Sequence, residues 1–277
     1  MDWRERCRKF AARPEPVLVR GETGVGKEGV ARWLADGRRG PMVAVNCGAI
    51  PPTLLEAELF GVAPGAFTGA HPSEGLVRAA ADGTLFLDEV GEMPLAVQAA
   101  LLRFLDSGEY RSVGSQRTRT ATTRVVAATN RDLRAEVAAG RFRQDLYYRL
   151  AVLEIEVPPL RERLDELETL VAGLAPRLTV SRSAIDRMHR HPWPGNVREL
   201  RNVLIRAEIS LAARGGDEVE PEDLDFQAFS PPVASMTMRS AKRDMAERAV
   251  EAAGGNKRLA ARQLGVSPTT LGAYLKL

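Results

Sequence analysis

The sequence is poor in the residues that build disulfide scaffolds and metal centres. Its 277 residues include 2 cysteines, Cys7 and Cys47, and 3 histidines, His71, His189 and His191. Two cysteines cannot form a disulfide framework, and no histidine stands at a metal-ligand spacing from cysteines or carboxylates. The composition therefore excludes a disulfide-stabilised mini-protein and predicts no metal site built from histidine and cysteine.

Long apolar segments are also missing. No run of about 18 apolar residues occurs, and the first six residues are mostly charged where a signal peptide would be apolar. The net charge of +3 is small, so no strong polyanion-attracting field covers the whole molecule. These features predict a cytoplasmic protein with no membrane partner. Its length allows more than one domain.

A glycine-rich segment is the first motif that is present, with the sequence Gly21-Glu22-Thr23-Gly24-Val25-Gly26-Lys27-Glu28. The apolar run at residues 16–20 predicts a buried strand before it, and residues 27–34 predict a helix after it. In this context backbone N–H groups at the helix N-terminus bind phosphate oxygens, and Lys27 adds a charge near the β- and γ-phosphates. Glu28 stands where the general motif has a Ser or Thr that binds Mg²⁺.

An acidic strand end is the second motif. The four apolar-rich residues 84–87 are followed by Asp88 and Glu89, and α/β sheets place their ligand chemistry at such strand ends. Asp88 is predicted to hold Mg²⁺, directly or through water, and Glu89 to polarise an attacking water. Taken alone, the pair is equally compatible with two solvated carboxylates; its pairing with the glycine-rich segment favours the catalytic interpretation.

Between these two motifs lies the hexapeptide Gly65-Ala66-Phe67-Thr68-Gly69-Ala70. Two glycines flank a bulky aromatic residue and a hydroxyl, and the only other side chains are methyl groups. A core segment does not need this backbone freedom, and a simple surface turn does not expose a Phe. The pattern predicts a mobile loop that presents Phe67 and Thr68 to a partner.

With these three motifs, the chain resembles the AAA+ ATPase domain of the sigma-54-dependent transcriptional activators, from about residue 16 to residue 277. The hexapeptide is specific to that family, and its phosphate loops usually end in Lys-Glu, as this one does. The resemblance implies an α/β AAA+ P-loop NTPase with a parallel sheet, a helical lid domain and a C-terminal all-α helix-turn-helix. It also implies ATP and Mg²⁺ as cofactors, a homo-oligomeric ring, expected to be a hexamer, and ATP hydrolysis that moves the hexapeptide loop against sigma-54 in the RNA polymerase holoenzyme.

Further residues match the family's motifs position by position. Asn46 corresponds to an asparagine that holds the catalytic Glu until the site is set, and Thr129 and Asn130 to a sensor of the γ-phosphate. Arg143 and Arg149 correspond to arginines that reach the neighbouring subunit's site and stabilise charge on the phosphoryl group; without the family, two surface arginines on a helix are the simpler interpretation. Arg198 corresponds to a second sensor that faces nucleotide from the lid.

Composition shifts along the chain predict four segments. Residues 1–157 alternate strand and helix patterns and form the ATPase core. Residues 158–226 have helical periodicity and form the lid, with residues 158–163 as its hinge. Residues 227–239 contain Pro and Ser and form a linker. Residues 240–277 form the helix-turn-helix.

The C-terminal segment predicts binding to double-stranded upstream DNA. Ser267 is placed to cap a helix whose first residue is Pro268, and the resemblance implies Fis-type DNA contacts for Lys257, Arg258, Thr269, Thr270 and Lys276. The second helix is nevertheless weakly basic, and Gly272 costs it about 1 kcal/mol relative to Ala. A small dimerising bundle that no longer reads DNA is the alternative.

Two features depart from the family. Val77-Arg78 stands where an aromatic residue followed by Glu is usual, so the loop's coupling to the ATP site is expected to differ. The sequence before residue 16 leaves no room for a receiver domain; either a separate regulatory protein acts in trans or the chain begins inside a longer one. A DNA-binding regulator with a vestigial ATPase and another AAA+ protein-remodelling machine are the alternative functions.

Overall fold

The structure is a computed structural model that describes residues 2–66, 69, 71–226, 250, 256, 257, 261, 264 and 266–274. Contacts divide the chain into two units, Met1–Phe226 and Gln227–Leu277. The segment predicted as a linker, residues 227–239, lies outside the described residues. The candidate nucleotide site lies wholly within the first unit.

The described residues of the first unit form two sheets from seven strands: β1 (Val17–Arg20), β2 (Met42–Asn46), β3 (Thr84–Asp88), β4 (Glu109–Tyr110), β5 (Arg119–Thr120), β6 (Arg124–Thr129) and β7 (Leu153–Glu156). Five of them form a parallel sheet in the order β2-β3-β6-β1-β7, and β4 and β5 form an antiparallel pair. The three central strands, β1, β3 and β6, are short and almost fully buried, as expected for strands covered on both faces. The predicted α/β class with a parallel sheet is confirmed.

The helices that accompany the sheet are α1 (Trp3–Ala11), α2 (Lys27–Ala35), α3 (Leu55–Phe60), α4 (Leu76–Ala79), α5 (Leu95–Ser107), α6 (Leu133–Ala138) and α7 (Gln144–Leu150). One apolar cluster joins side chains of α1 and α2 to the sheet, with Leu34 and Phe86 at its centre. The other joins the sheet to α3, α4, α5 and α7, with Leu59 and Leu101 fully buried. Because apolar layers cover both faces, the polar residues of the parallel strands are concentrated at their ends.

A helical part follows, with α8 (Leu167–Leu174), α9 (Arg182–His189) and α10 (Asn196–Arg214). It has its own apolar cluster around the fully buried Trp193, whose Nε1 donates to the Met188 carbonyl at 3.0 Å. Ser181 caps α9 by accepting from Ala184 N, and Gly215 ends α10 in the left-handed conformation. These features supply a helical body after the sheet, at the position where the lid is predicted.

In the second unit the structure describes a helix, α11 (Pro268–Tyr274). The Ser267 hydroxyl accepts from Thr270 N at 3.1 Å, so Ser267 caps this helix as predicted. Leu271 is fully buried within its unit. In the described part of the chain, no helix is long and apolar enough to cross a membrane.

Candidate nucleotide site

The glycine-rich segment forms the loop between β1 and α2. Gly24 and Gly26 have φ angles of 80° and 102°, which only glycine adopts readily. Lys27 is the first residue of α2 and is only 7% exposed; its Nζ donates to the carbonyls of Gly21 at 3.1 Å and Glu22 at 3.3 Å. The loop therefore curls around its own lysine at a helix N-terminus, which is the geometry of an anion-binding site.

The acidic pair lies beside this lysine. Asp88 ends β3, and its Oδ1 accepts from Glu89 N at 3.0 Å, while Glu89 Oε1 is 4.0 Å from Lys27 Nζ. Burial lowers the pKa of Lys27, and the carboxylates of Glu89 and Asp88 act in the opposite direction. Glu89 has a φ of 51°, an unfavourable backbone conformation for a non-glycine residue. The structure thus brings together the two motifs that lie about 60 residues apart in the sequence.

The other predicted polar strand ends lie at the same edge of the sheet. Asn130, after β6, donates from Nδ2 to Thr23 Oγ1 at 3.0 Å and so contacts the phosphate loop directly. Thr129 is fully buried and accepts from Arg131 N. Asn46, at the end of β2, accepts from Gly48 N and Ala49 N through its Oδ1. Among the described residues no hydrogen bond joins Asn46 to Glu89, so here the Asn46 side chain is engaged with its own turn.

The helical part closes over the phosphate loop. Arg198 N donates to the Gly24 carbonyl at 3.2 Å, and the Arg198 charge contributes to lowering the pKa of Lys27. A Cβ on Gly24 would lie 2.4 Å from the Gly195 carbonyl oxygen, so the two backbones approach as closely as glycine permits. Arg198 therefore lies next to the loop, where the family resemblance places it.

Asn196 is a site residue that the sequence analysis misses. It is fully buried, with a φ of 54°, at the start of α10. Its Nδ2 donates to Glu22 Oε2 and to the Thr23 carbonyl, both at 3.1 Å, and its Oδ1 accepts from Leu160 N at 2.8 Å. One side chain thus connects the phosphate loop, the hinge and the helical part.

Two hinge arginines, also without a role in the sequence analysis, hold the same loop. Arg161 forms two hydrogen bonds with the Glu22 carboxylate, at 2.9 and 2.6 Å, and Arg163 donates to the Val25 carbonyl at 2.6 Å. The hydrogen bonds from Arg161 and from Asn196 lower the pKa of the Glu22 carboxyl. The sequence contains a signal for this contact, a carboxylate inside a phosphate-binding loop that needs a cation, but its partner lies 139 residues away.

A cavity of about 480 Å³ adjoins the start of the phosphate loop. Trp3 and Arg6 of α1 line one side, and Gly21, Val157 and Pro159 line another. The segment before residue 16 thus supplies one wall of this cavity.

Arg143 immediately precedes α7 and Arg149 lies on it, and both side chains are exposed. Arg143 is bound to Asp145 at 3.0 and 2.7 Å, and Arg149 donates to the Leu105 carbonyl and pairs with Asp106. Neither arginine contacts the phosphate loop of its own chain among the described residues. Glu28 likewise points to solvent and pairs with Arg32 at 2.6 Å.

The structure describes half of the hexapeptide. Gly65 and Gly69 have φ angles of 72° and 82°, and Ala66 packs against Gly114 of the β4–β5 connection. Backbone bridges join Val62 to Ser73 and Val113 and so hold the base of this loop. Phe67, Thr68 and Ala70 lie outside the described residues.

Of the candidate DNA contacts, Lys257 is exposed and Thr270 is half-buried near the start of α11. Thr269 lies in the same helix. Arg258 and Lys276 lie outside the described residues.

Comparison with known families matches three models in order along the chain. Residues 1–156 match the Sigma-54 interaction domain, residues 161–240 the AAA+ ATPase lid domain, and residues 238–276 the Fis family of bacterial regulatory proteins. The predicted helical lid and C-terminal helix-turn-helix are therefore confirmed as fold classes.

Relatives with known roles are regulators of transcription. The nitric oxide reductase transcription regulator NorR2 of Cupriavidus necator is 45% identical over 296 residues, which cover 92% of this chain and 57% of that protein. The DNA-binding transcriptional regulator NtrC of Azospirillum brasilense is 48% identical over 231 residues, covering 78% and 48%. This chain thus spans about half the length of both relatives.

A solved structure of similar fold is NtrX from Brucella abortus in complex with ATP. It superposes with a TM-score of 0.70 at 29% identity, covering 99% of this chain and 66% of NtrX. Because the Sigma-54 interaction domain model matches more than half of this sequence, the chain belongs to the family of proteins that carry this domain.

Proposed function

We propose that this chain is an ATP-hydrolysing transcriptional activator that binds upstream DNA and remodels sigma-54 RNA polymerase. The observation that carries the proposal is the convergence of Lys27, Glu89 and Asn130 at one edge of the sheet, with Arg198 of the helical part beside them. A phosphate cradle next to a carboxylate base is the arrangement that nucleotide hydrolysis requires.

The phosphates and the base of ATP would bind to two different parts of this site. Its phosphates would bind along Gly21–Lys27, where the loop glycines and the α2 N-terminus provide backbone donors. Its base would enter the cavity of about 480 Å³ beside Gly21, which Trp3 and Pro159 line with apolar surface. The structures of NtrX with ATP and with ADP support this assignment.

The two acidic residues, Asp88 and Glu89, have different proposed roles. Asp88 would hold Mg²⁺, which supplies charge neutralisation on the phosphates when bound. Glu89 is the proposed general base, since its carboxylate lies 4.0 Å from the lysine that marks the phosphate position. Asn46 would engage Glu89 only after leaving its present hydrogen bonds to Gly48 N and Ala49 N, and Thr129 and Asn130 would sense the γ-phosphate.

The remaining assignments concern partners. Arg143 and Arg149 would complete the site of the next subunit in a homo-oligomeric ring, proposed to be a hexamer. The loop Gly65–Ala70 would contact sigma-54. The helix-turn-helix would bind DNA through Lys257, Arg258, Thr269, Thr270 and Lys276. Control by a regulatory protein in trans and a cytoplasmic location remain predictions.

The decisive test is Thr68→Ala. This change removes one hydroxyl and one methyl from the loop, so ATP turnover should stay within a few-fold of the parent chain. Open-complex formation with sigma-54 polymerase should collapse, as should capture of sigma-54 in the presence of ADP–aluminium fluoride.

Thr53→Ala is the matched control, because Thr53 is an exposed threonine in another loop of the same unit. It should leave both activities unchanged. Normal transcription activation by Thr68→Ala, or parallel loss of both activities, would reject the loop as the coupling element. Absence of ATP turnover in the parent chain would instead favour a regulator with a vestigial ATPase.

A further inference from the structure

A second cavity, of about 960 Å³, lies at the opposite edge of the parallel sheet from the nucleotide site. Gly40, Gly83 and Arg124 line it, and they lie where β2, β3 and β6 begin, whereas the phosphate loop and Asp88 lie where strands end. The end of α1 and the segment after α2 complete its walls. Its volume is in the range of small-molecule sites, and no part of the proposed ATPase chemistry uses it.

The floor of this cavity is rigid. A Cβ on Gly40 would lie 2.5 Å from the Ala81 carbonyl oxygen, and one on Gly83 would lie 2.1 Å from the Pro41 carbonyl oxygen. The two segments are therefore in direct backbone contact, which Gly40 N reinforces by donating to the Asp82 carbonyl at 3.1 Å. Such a floor keeps the lining groups in fixed positions.

Two arginines line the cavity, one buried (Arg124) and one half-buried (Arg38), and among the described residues neither forms an ion pair with a carboxylate. Arg124 is 4% exposed and donates only to backbone carbonyls, those of Phe10, Ala11, Glu15 and Leu34. Arg38 donates to the Arg13 carbonyl at 2.6 Å, while its buried Nε has no hydrogen-bond partner. Within the described residues, no ion pair involves either guanidinium.

The positive charges of Arg38 and Arg124 also repel each other. Burial lowers the pKa of Arg38. Burial and then the Arg38 charge lower the pKa of Arg124 to about 10. Glu15 acts on the pKa of Arg124 in the opposite direction, but it forms no ion pair with Arg124 in the described part of the chain. Buried cations are normally paired, and Arg38 Nε is a buried donor without a hydrogen-bond partner.

Carboxylates do line the cavity, but they do not neutralise these arginines. Asp36 is exposed and accepts from Gly37 N, and Asp82 contributes a left-handed turn with a φ of 59°. Neither forms an ion pair with Arg38 or Arg124 among the described residues. A third arginine, Arg39, is exposed at the same cavity, so the lining as a whole is cationic.

We propose that this cavity is a binding site for a small oxyanion ligand, carrying a phosphate or carboxylate group, that accepts hydrogen bonds from Arg38 and pairs with the charges of Arg38, Arg39 and Arg124. Guanidinium groups bind both oxyanions through charge-assisted hydrogen bonds. The site lies beyond the proposed ATPase and DNA-binding functions.

The test uses the full chain with Lys27→Ala, so that phosphate binding at the nucleotide loop does not contribute. Inorganic pyrophosphate and citrate are titrated separately by calorimetry at low salt. At least one of the two should bind with 1:1 stoichiometry. Binding of pyrophosphate indicates a phosphate site, and binding of citrate indicates a carboxylate site. Arg38→Gln, added to the same chain, should weaken that binding about 10- to 100-fold, since it removes a charged donor.

Arg39→Glu is a second variant that keeps the test valid if Arg38→Gln does not fold, because the Arg39 side chain is exposed. It should weaken binding about 10-fold through charge reversal. Arg117→Gln, a loss of one exposed arginine from the β4–β5 connection, is the matched control and should leave binding unchanged. Failure of both probes to bind at millimolar concentration, or equal binding by the parent, Arg38→Gln and Arg39→Glu chains, would overturn the proposal.

Discussion

Among single residues, Lys27 and Glu89 have separable roles that mutation should distinguish. Lys27 holds the phosphate loop through two carbonyls, whereas Glu89 contacts the loop only through the lysine. We expect Lys27→Ala to abolish ATP binding. Glu89→Gln should retain it but slow hydrolysis by ~10²–10⁴-fold, the usual cost of losing a positioned base.

Fluorescent-nucleotide binding and phosphate release measure these two properties. Glu109→Gln, the same substitution at an exposed position on β4, is the control and should change neither. Equal loss of ATP affinity in Lys27→Ala and Glu89→Gln would contradict the assigned roles.

Replacing Asn196 tests how much its hydrogen bonds to the hinge and the phosphate loop contribute to stability. Replacing it by Ala removes the hydrogen-bond partner of the buried Leu160 N–H and the hydrogen bonds to the Thr23 carbonyl and to Glu22, and it places Ala at a φ of 54°. We expect a loss of about 2–4 kcal/mol in the free energy of unfolding, seen as a fall in Tm of roughly 5–15 °C. Asn202→Ala, an exposed asparagine on the same helix, should cost no more than ~0.5 kcal/mol. Similar Tm values for the two variants would show that the three hydrogen bonds are dispensable.

The residues that could be predicted are those with a local signal. Lys27 stands among glycines whose spacing encodes a phosphate loop, and Glu89 directly follows an apolar strand. Asn196 and Arg161 have no such signal, because each acquires its role from a residue more than 130 positions away. Only the folded chain brings these partners together.

At the level of elements, the central parallel strands β1, β3 and β6 were predictable because each is a short, mostly apolar run that is buried in the sheet. Their order was not. β6 lies between β1 and β3, with Val126 beside both Val17 and Phe86, and nothing within a strand's own sequence selects those neighbours. This order is what places Asn130 next to Thr23 and completes the site.

The support of the hexapeptide by the β4–β5 connection is also testable. A Cβ on Gly114 would lie 2.4 Å from the Ala66 Cβ, and its φ is 78°. Gly114→Ala should therefore displace the base of the loop, lowering sigma-54 capture several-fold while ATP turnover stays within a few-fold of the parent. Gly215→Ala is the control. Gly215 has a similar φ of 67°, but open space surrounds it, so this variant introduces backbone strain without a steric clash. Equal capture by these two variants would show that the Ala66 contact does not position the loop.

For the whole molecule, the main question is how Arg143 and Arg149 act. Both are exposed, Arg143 just before α7 and Arg149 on it, and each is held by a neighbouring acidic residue or carbonyl on its own chain. In the proposed ring they would exchange these partners for the phosphates bound by the next subunit. Arg143→Ala and Arg149→Ala should then each reduce ATP hydrolysis while leaving ATP binding by single subunits largely intact.

Mixing variants tests this shared site directly. An Arg143→Ala chain keeps Glu89, and a Glu89→Gln chain keeps both arginines. Some subunit interfaces in a mixed ring should therefore combine the intact Glu89 of one chain with the intact arginines of the other. ATP turnover should rise above that of either variant alone and pass through a maximum at intermediate ratios, and Arg149→Ala should behave in the same way. A mixture of Glu89→Gln with Lys27→Ala is the matched control, because both changes damage the same half of the site and no complete site can form. If the arginine mixtures recover no more turnover than this control, the site is not shared between subunits and the ring proposal for these two arginines is wrong.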